Sequence, residues 1–305
     1  MNPLSIAPAL PRFLRRLGFA GLMSLGMLAQ GQAQTAAPAA PLELKVINHG
    51  AASFHVNSVL VLGAKEAVLL DSGFTRADAL RVAAAVLDSG KTLSTIYVSA
   101  ADPDYYFGLE VLKQEFPAAR ILATAPTLKK IEASLPTKLK VWGPRLGANA
   151  PRQPLLPQLL EGHTLSLEGQ TLEVRGLNDA LPHRSYVWIP SIKAIVGGVN
   201  SFAGLHVWTA DTQSAAERAA WLAKLDEQLA LQPAIVVPGH MASGSAQDAS
   251  ALRYTRDYLQ RFEAELPRAA NGAALIDAMK AAYPQAGMGI ALDIGAKVNK
   301  GEMKW

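Results

Sequence analysis

The stretch TIYVSAADPDYYFG, residues 95–108, decides how this chain is read. Thr95, Ile96, Tyr97 and Val98 form a β-branched and aromatic run that suits a buried strand, and Gly108-Leu109-Glu110 opens a helix. Between them, residues 99–105 make a short acidic loop carrying Asp102 and Asp104. A loop at the carboxyl end of a strand in an α/β fold is where ligand sites are usually built.

Working outward, the flanks continue the same rhythm. A strand begins at Leu44, Val46 and Ile47, and residues 57–62 and 67–70 read as a strand pair joined at 63–66 and ending in Asp71-Ser72-Gly73. Thr75 caps a helix over Asp78, with Leu80, Ala84 and Leu87 on one face and a stop at Ser89-Gly90. Beyond the central loop come a helix over 106–116, a strand over 121–123 and a helix over 126–135 with proline in its first turn. Residues 136–157 break the pattern with five prolines around Trp142, and read as a surface wrap or as a flap over a site. A hairpin follows over 164–174, turning at Glu168-Gly169-Gln170, then a strand pair at 186–190 and 194–196. Residues 214–231 form a helix with Trp221, Leu222 and Leu225 inward, and a strand over 234–237 ends in Pro238-Gly239-His240. Two amphipathic helices, 251–266 and 273–283, extend the end of the chain, and 297–305 stays unassigned. The alternation of strands and helices predicts an α/β layered fold, with no internal repeat in the sequence.

The 305 residues are 50% hydrophobic and 18% charged, enough for one large domain with a substantial core. Arg12, Arg15 and Arg16 precede an apolar run over 17–29, and Gly31-Gln32-Ala33 offers the small residues of a signal-peptidase site. The expected organisation is a cleaved leader over 1–33, an Ala/Pro/Thr linker over 34–41 and a single domain over 42–305. The mature protein is therefore expected in the periplasm or secreted, with no integral membrane anchor, since the apolar run falls short of the ~20 residues that span a bilayer. Three of the 29 basic residues lie in the leader, leaving 26 against 25 acidic ones. That near-neutral balance argues against a nucleic-acid partner and for a small-molecule substrate or ligand. Without cysteine there is no disulfide, thiolate nucleophile or thiolate metal ligand, so a metal would rest on His, Asp, Glu or Tyr.

Five features in order, Asp71-Ser72-Gly73, the 95–108 loop, WIPSIKAIVGG at 188–198, HVWTADT at 206–212 and Pro238-Gly239-His240, resemble the metallo-β-lactamase-fold hydrolases. The resemblance implies an αββα sandwich, two mixed β-sheets flanked by helices. The family's His-x-His-x-Asp-His loop falls on residues 100–105, with Ala100 and Asp102 at its first two His positions, Asp104 at its Asp and Tyr105 at its last His. Val199 stands at the bridging Asp, and His240 matches the Gly-His at the end of the late strand. The third ligand position falls on Leu181, or on His183 if the loop is shifted.

A dinuclear zinc site is not expected from this set. Asp102, Asp104 and His240 remain as candidate ligands for one divalent ion, zinc, manganese or magnesium, or for none. His183, Tyr105 and His206 are candidate proton donors, and His49, His55 and His163 are given no role. Asp102-Pro103-Asp104 reads equally as a plain turn, and His206 as a packed histidine beside Trp208. Two functions are open: a hydrolase of an ester, lactone or amide using metal-activated water, or a non-catalytic relative that binds a small molecule or partner protein in the vacated pocket.

Overall fold

A computed structural model describes residues 40–305; the leader expected over 1–33 and most of the expected linker lie outside the described residues. The strands and helices run in the order β1 (Glu43–Asn48), β2 (Asn57–Leu62), β3 (Glu66–Leu70), α1 (Arg76–Ser89), β4 (Thr92–Tyr97), α2 (Pro103–Tyr106), α3 (Leu109–Glu115), β5 (Arg120–Ala123), α4 (Ala125–Leu146) and β6 (Gln158–Leu159). They continue with β7 (Thr164–Leu167), β8 (Gln170–Arg175), β9 (Tyr186–Ile189), β10 (Ala194–Val196), β11 (Phe202–Ala203), α5 (Ala215–Ala230), β12 (Ile235–Val236) and β13 (His240–Met241). The chain closes with α6 (Ser250–Glu265), α7 (Gly272–Ala282) and α8 (Gly289–Asn299).

Two mixed sheets result. The first runs β1-β2-β3-β4-β5-β6, antiparallel up to β3 and parallel from there on. The second runs β12-β10-β9-β8-β7, with only the β10–β12 pair parallel. Strand periodicity sorts the core into layers. Val59 and Val61 of β2, Val68 and Leu70 of β3 and Tyr97 of β4 meet Leu165, Leu172, Val187 and Ile189 of the other sheet. Their neighbours Leu60, Leu69 and Ile96 turn the other way, into the layer shared with α1 and α3. This is the αββα sandwich that the resemblance implied.

Several elements differ from their expected form. Helix α1 keeps its Thr75–Asp78 capping box and its left-handed Gly90 stop, but its inward face is Ala79, Val82, Ala83 and Val86. Leu80 and Leu87 are 53% and 66% exposed. At Ala79 the approach is close: a Cβ at Gly108 would stand 2.9 Å from that of Ala79. For the same reason the helix expected over 106–116 is split at Phe107-Gly108. A Cβ at Gly108 would also come within 2.2 Å of the Ser72 carbonyl oxygen.

The largest departure is α4, which continues through Pro136 and Pro144 to Leu146 instead of stopping at 135. Both prolines are on the exposed side, where the carbonyls they leave unbonded can be hydrated, and the packing of the opposite face offsets the remaining cost. Trp142 on the opposite face is buried against Phe54 and Phe74, at ring-centroid distances of 5.3 and 5.5 Å. The proline-rich segment thus covers the loop as a helix. Helix α8 was unforeseen altogether. Among the described residues no helix is long and apolar enough to cross a membrane.

Candidate functional site

The 99–105 loop is held from three sides. Asp71, at a left-handed φ of 62° just after β3, accepts from the Ser99 backbone N–H at 2.8 Å and from Ser99 Oγ at 2.6 Å. Ser99 Oγ in turn accepts from the Gly198 N–H at 2.7 Å. Burial pushes the Asp71 carboxyl up to about 7, against the pull of both Ser99 donors. The next residue, Ser72, donates from its N–H and its Oγ to the Tyr105 carbonyl and accepts from the Gly108 N–H at 3.1 Å. The Asp-Ser-Gly turn therefore fixes both ends of the loop.

Opposite it, Lys224 of α5 pins the loop before β9. Its Nζ donates to the carbonyls of Gly176, Leu181 and Arg184 at 2.8–2.9 Å and stands 3.1 Å from Asp179. Leu181 is buried in the apolar core. His183 instead lines a small cavity with Asp102, Lys138 and Arg184; burial and the Arg184 charge lower its imidazole to about 4. Arg184 pairs with Ala100 in an isolated antiparallel bridge. Its guanidinium carbon lies 4.1 Å from the centre of the Trp221 ring.

His240 and Asp104 meet at the floor of the pocket beside the 99–105 loop. His240 Nδ1 is 2.9 Å from the Phe54 carbonyl oxygen and must donate to it, because a carbonyl can only accept. That leaves the Nε2 lone pair facing Asp104 Oδ2 at 3.6 Å. The imidazole stacks on Phe202 at 4.8 Å, and burial lowers it to about 4. Burial, reinforced by the charge of Asp102, holds Asp104 well above the usual carboxylate range. Asp102 is also raised, by burial and then by Asp211, and its side chain does not cap α2. Tyr105 is fully buried; its hydroxyl has no hydrogen-bond partner among the described residues and stays protonated well above its ordinary range.

Above this floor rise the rings of Phe54, Phe74, Trp142, Trp208 and Trp305, with Lys138, Asp211, Val199 and Met288 between them. The cleft offers about 40 Å³ of room for water-sized atoms, within a larger space open to solvent at its mouth. At that mouth Asp211 accepts from the indole N–H groups of Trp208 and Trp305, at 2.7 and 2.9 Å. Phe54, Phe74 and Met288 were not singled out in the sequence, where nothing but apolar character marks them.

His206 lies elsewhere, its Nδ1 3.0 Å from the Tyr258 hydroxyl, and it does not line the pocket. His49, assigned no role from sequence, belongs to a polar array below α1. Its Nε2 is 2.9 Å from Ser58 Oγ and its Nδ1 3.3 Å from Asp78 Oδ1, the order of a serine-hydrolase triad. Ser58 is fully buried and Asp78 also accepts from Ser53 and the Thr75 N–H. With no substrate path to Ser58, this array is structural.

A family model described as the metallo-beta-lactamase superfamily matches residues 53–240. The chain belongs to the metallo-β-lactamase superfamily. Among solved structures, a metallo-β-lactamase family protein from Thermus thermophilus aligns with a TM-score of 0.58 at 17% identity, over 86% of this chain and 92% of that one. A metallo-β-lactamase from Pontibacter korlensis aligns over 72% of this chain and 94% of its own, at 15% identity and a TM-score of 0.47. At 17% identity the likeness to the Thermus protein speaks for the fold alone. No curated protein matches in sequence.

Zinc is the usual metal of this superfamily, and the residues here do not fit it. Among the described residues no three His, Asp or Glu side chains are gathered closely enough to hold a metal ion; Asp102, Asp104 and His240 line one cleft without forming such a set. Ala100, Leu181 and Val199 are buried apolar side chains, and the Arg184 charge acts on Asp102, Tyr105 and His240. A fixed cation beside the would-be ligands opposes a second one.

Proposed function

We propose that this chain uses the superfamily scaffold to bind a small molecule, without a dinuclear zinc centre, in the cleft between the 99–105 loop, α4 and Trp208. The observation that carries this reading is the cleft itself: five aromatic rings over a floor of uncharged or weakly charged Asp and His groups. Such a surface gains from burying an apolar ligand body and offers few polar groups to orient it. The leader over 1–33 supports export, so the proposed place of action is the periplasm or beyond, with neither nucleic acid nor membrane as partner.

Metal content tests the reading. After equilibration with zinc and manganese, the mature protein should carry far less than one ion per chain, and Asp104→Ala with His240→Ala should leave that value unchanged. Val199→Trp should close the cleft and abolish binding.

A second reading keeps a specific observation on its side. The His240 Nε2 lone pair faces both Asp104 and the cleft, which is the arrangement a single-metal or acid–base hydrolase of an ester, lactone or amide would use. One tightly held ion per chain, lost together with turnover in Asp104→Ala, would replace the binding reading with this one.

A further inference from the structure

The small cavity beside the aromatic cleft contains the feature least explained by packing. Arg184 is 3% exposed, and both its terminal nitrogens, Nη1 and Nη2, are buried without an acceptor among the described residues. A buried charged donor that finds no acceptor is costly and calls for a cause. Trp221 supplies a π face on one side of the guanidinium, which leaves its N–H edges uncommitted.

The charges around it do not cancel. Arg184, Lys130 and Lys138 line the cavity with His183, against the carboxylates of Asp102 and Asp211. Asp211 is already engaged by two indole N–H groups and by Lys138 at 4.0 Å. Among the described residues no carboxylate forms an ion pair with the Arg184 guanidinium, and the local balance favours an arriving anion.

Size and position narrow the class. The cavity offers about 30 Å³ of room for water-sized atoms. At roughly 10–15 Å³ for each such atom, it takes the two oxygens of a carboxylate more readily than the four of a phosphate. Asp102, Lys138 and Asp211 line both this cavity and the aromatic cleft, so the two spaces adjoin at these side chains. We propose that the Arg184 cavity is a carboxylate subsite, and that the ligand is a small molecule with an apolar or aromatic body in the cleft and a carboxylate head on the Arg184 guanidinium. A planar guanidinium with two free N–H edges matches that head bidentately. The proposal rests on the cleft being a small-molecule site and adds the ligand's charged end.

Benzoate, its neutral isostere benzamide, and acetate are the probes, titrated calorimetrically into the mature protein. Benzoate should bind at least tenfold more tightly than benzamide, and acetate should compete with it. Arg184→Met should erase the preference without lowering the melting temperature, because it removes a buried charge that has no partner; Arg184→Lys should restore part of it. Asp102→Asn, which removes the competing carboxylate, should tighten benzoate and leave benzamide unchanged. Should Arg184→Met not fold, Lys138→Met must still weaken benzoate several-fold relative to benzamide. Equal affinity for benzoate and benzamide in the wild type, with both blocked by Val199→Trp, overturns the carboxylate subsite and leaves the cleft reading standing. Failure of both probes to bind overturns the two together, and a benzoate preference that survives Arg184→Met overturns the role of Arg184.

Discussion

The molecule contains two buried histidine–aspartate pairs that behave in opposite ways. In the first, below α1, Asp78 accepts from Ser53 Oγ at 2.6 Å and from the Thr75 N–H at 3.0 Å, beside His49 and Arg81. Its carboxyl is held far below the ordinary range, those partners outweighing burial. In the second, at the cleft floor, Asp104 faces the unprotonated Nε2 of His240 at 3.6 Å and is held well above that range by burial and Asp102. Both carboxyls are buried. What separates them is the number of donors pointed at each, so burial alone does not tell a structural carboxylate from a site carboxylate.

The strongest way to break this comparison is to remove Asp78. Asp78→Ala strips acceptors from Ser53, the Thr75 N–H and His49 at once, and should cost on the order of 4 kcal/mol in urea unfolding. A loss below about 1 kcal/mol would mean that the array below α1 carries little of the fold.

Next in size is a pH effect. Asp71 has its carboxyl raised to about 7 from 3.8, so the folded state holds a proton that the unfolded state gives up. Its contribution is complete below about pH 4 and lost as pH rises through 7, with a ceiling of about 4 kcal/mol at 1.36 kcal/mol per pH unit. Asp78 has the opposite sign: its stabilisation is present above its unfolded pKa near 4 and fades as pH falls below it. Unfolding measured from about pH 2 to 8 should therefore show an acid loss that Asp78→Asn removes and a decline from about pH 4 to 7 that Asp71→Asn removes.

Smaller effects sharpen the contrast. Ser53→Ala deletes one donor to the charged Asp78 carboxylate and should cost about 2 kcal/mol. Asp104→Asn should stay within about 1 kcal/mol of the wild type, since the group it replaces is largely uncharged and nearly unpartnered. A cost for Asp104→Asn equal to that of Asp78→Asn would erase the distinction between the two pairs.

The same contrast explains what could be read from the sequence. The strand-loop-helix at 95–108, the Asp71-Ser72-Gly73 turn, the α1 capping box and the hairpin turn at Glu168-Gly169 rest on local chemistry, and each was legible. Helix α4 was not, because Pro136 and Pro144 each cost a helix about 3 kcal/mol locally, and the packing of Trp142 against Phe54 and Phe74 that offsets this exists only in the folded chain. The inward face of α1 was misread for a related reason: which of its apolar stripes packs inward is set by the tertiary fold, and it is Ala79, Val82, Ala83 and Val86 that face α3 and the sheet. At the site, Asp102, Asp104, Tyr105 and His240 were placed by their strand ends, and all four fall on one loop and strand edge. Arg184 was missed because an arginine beside a strand normally reaches solvent; the Trp221 ring, the Lys224 clamp and the Ala100 bridge, each distant in sequence, hold it inside.

Three of the five tryptophans, Trp142, Trp208 and Trp305, stand on the cleft wall, while Trp188 and Trp221 are buried away from it. The cleft consequently reports on itself optically. An occupant that displaces water from those three rings, or disturbs the Asp211 bridge between Trp208 and Trp305, alters the emission of most of the indoles in the molecule. Unlabelled protein is thus its own sensor for whatever the cleft takes up.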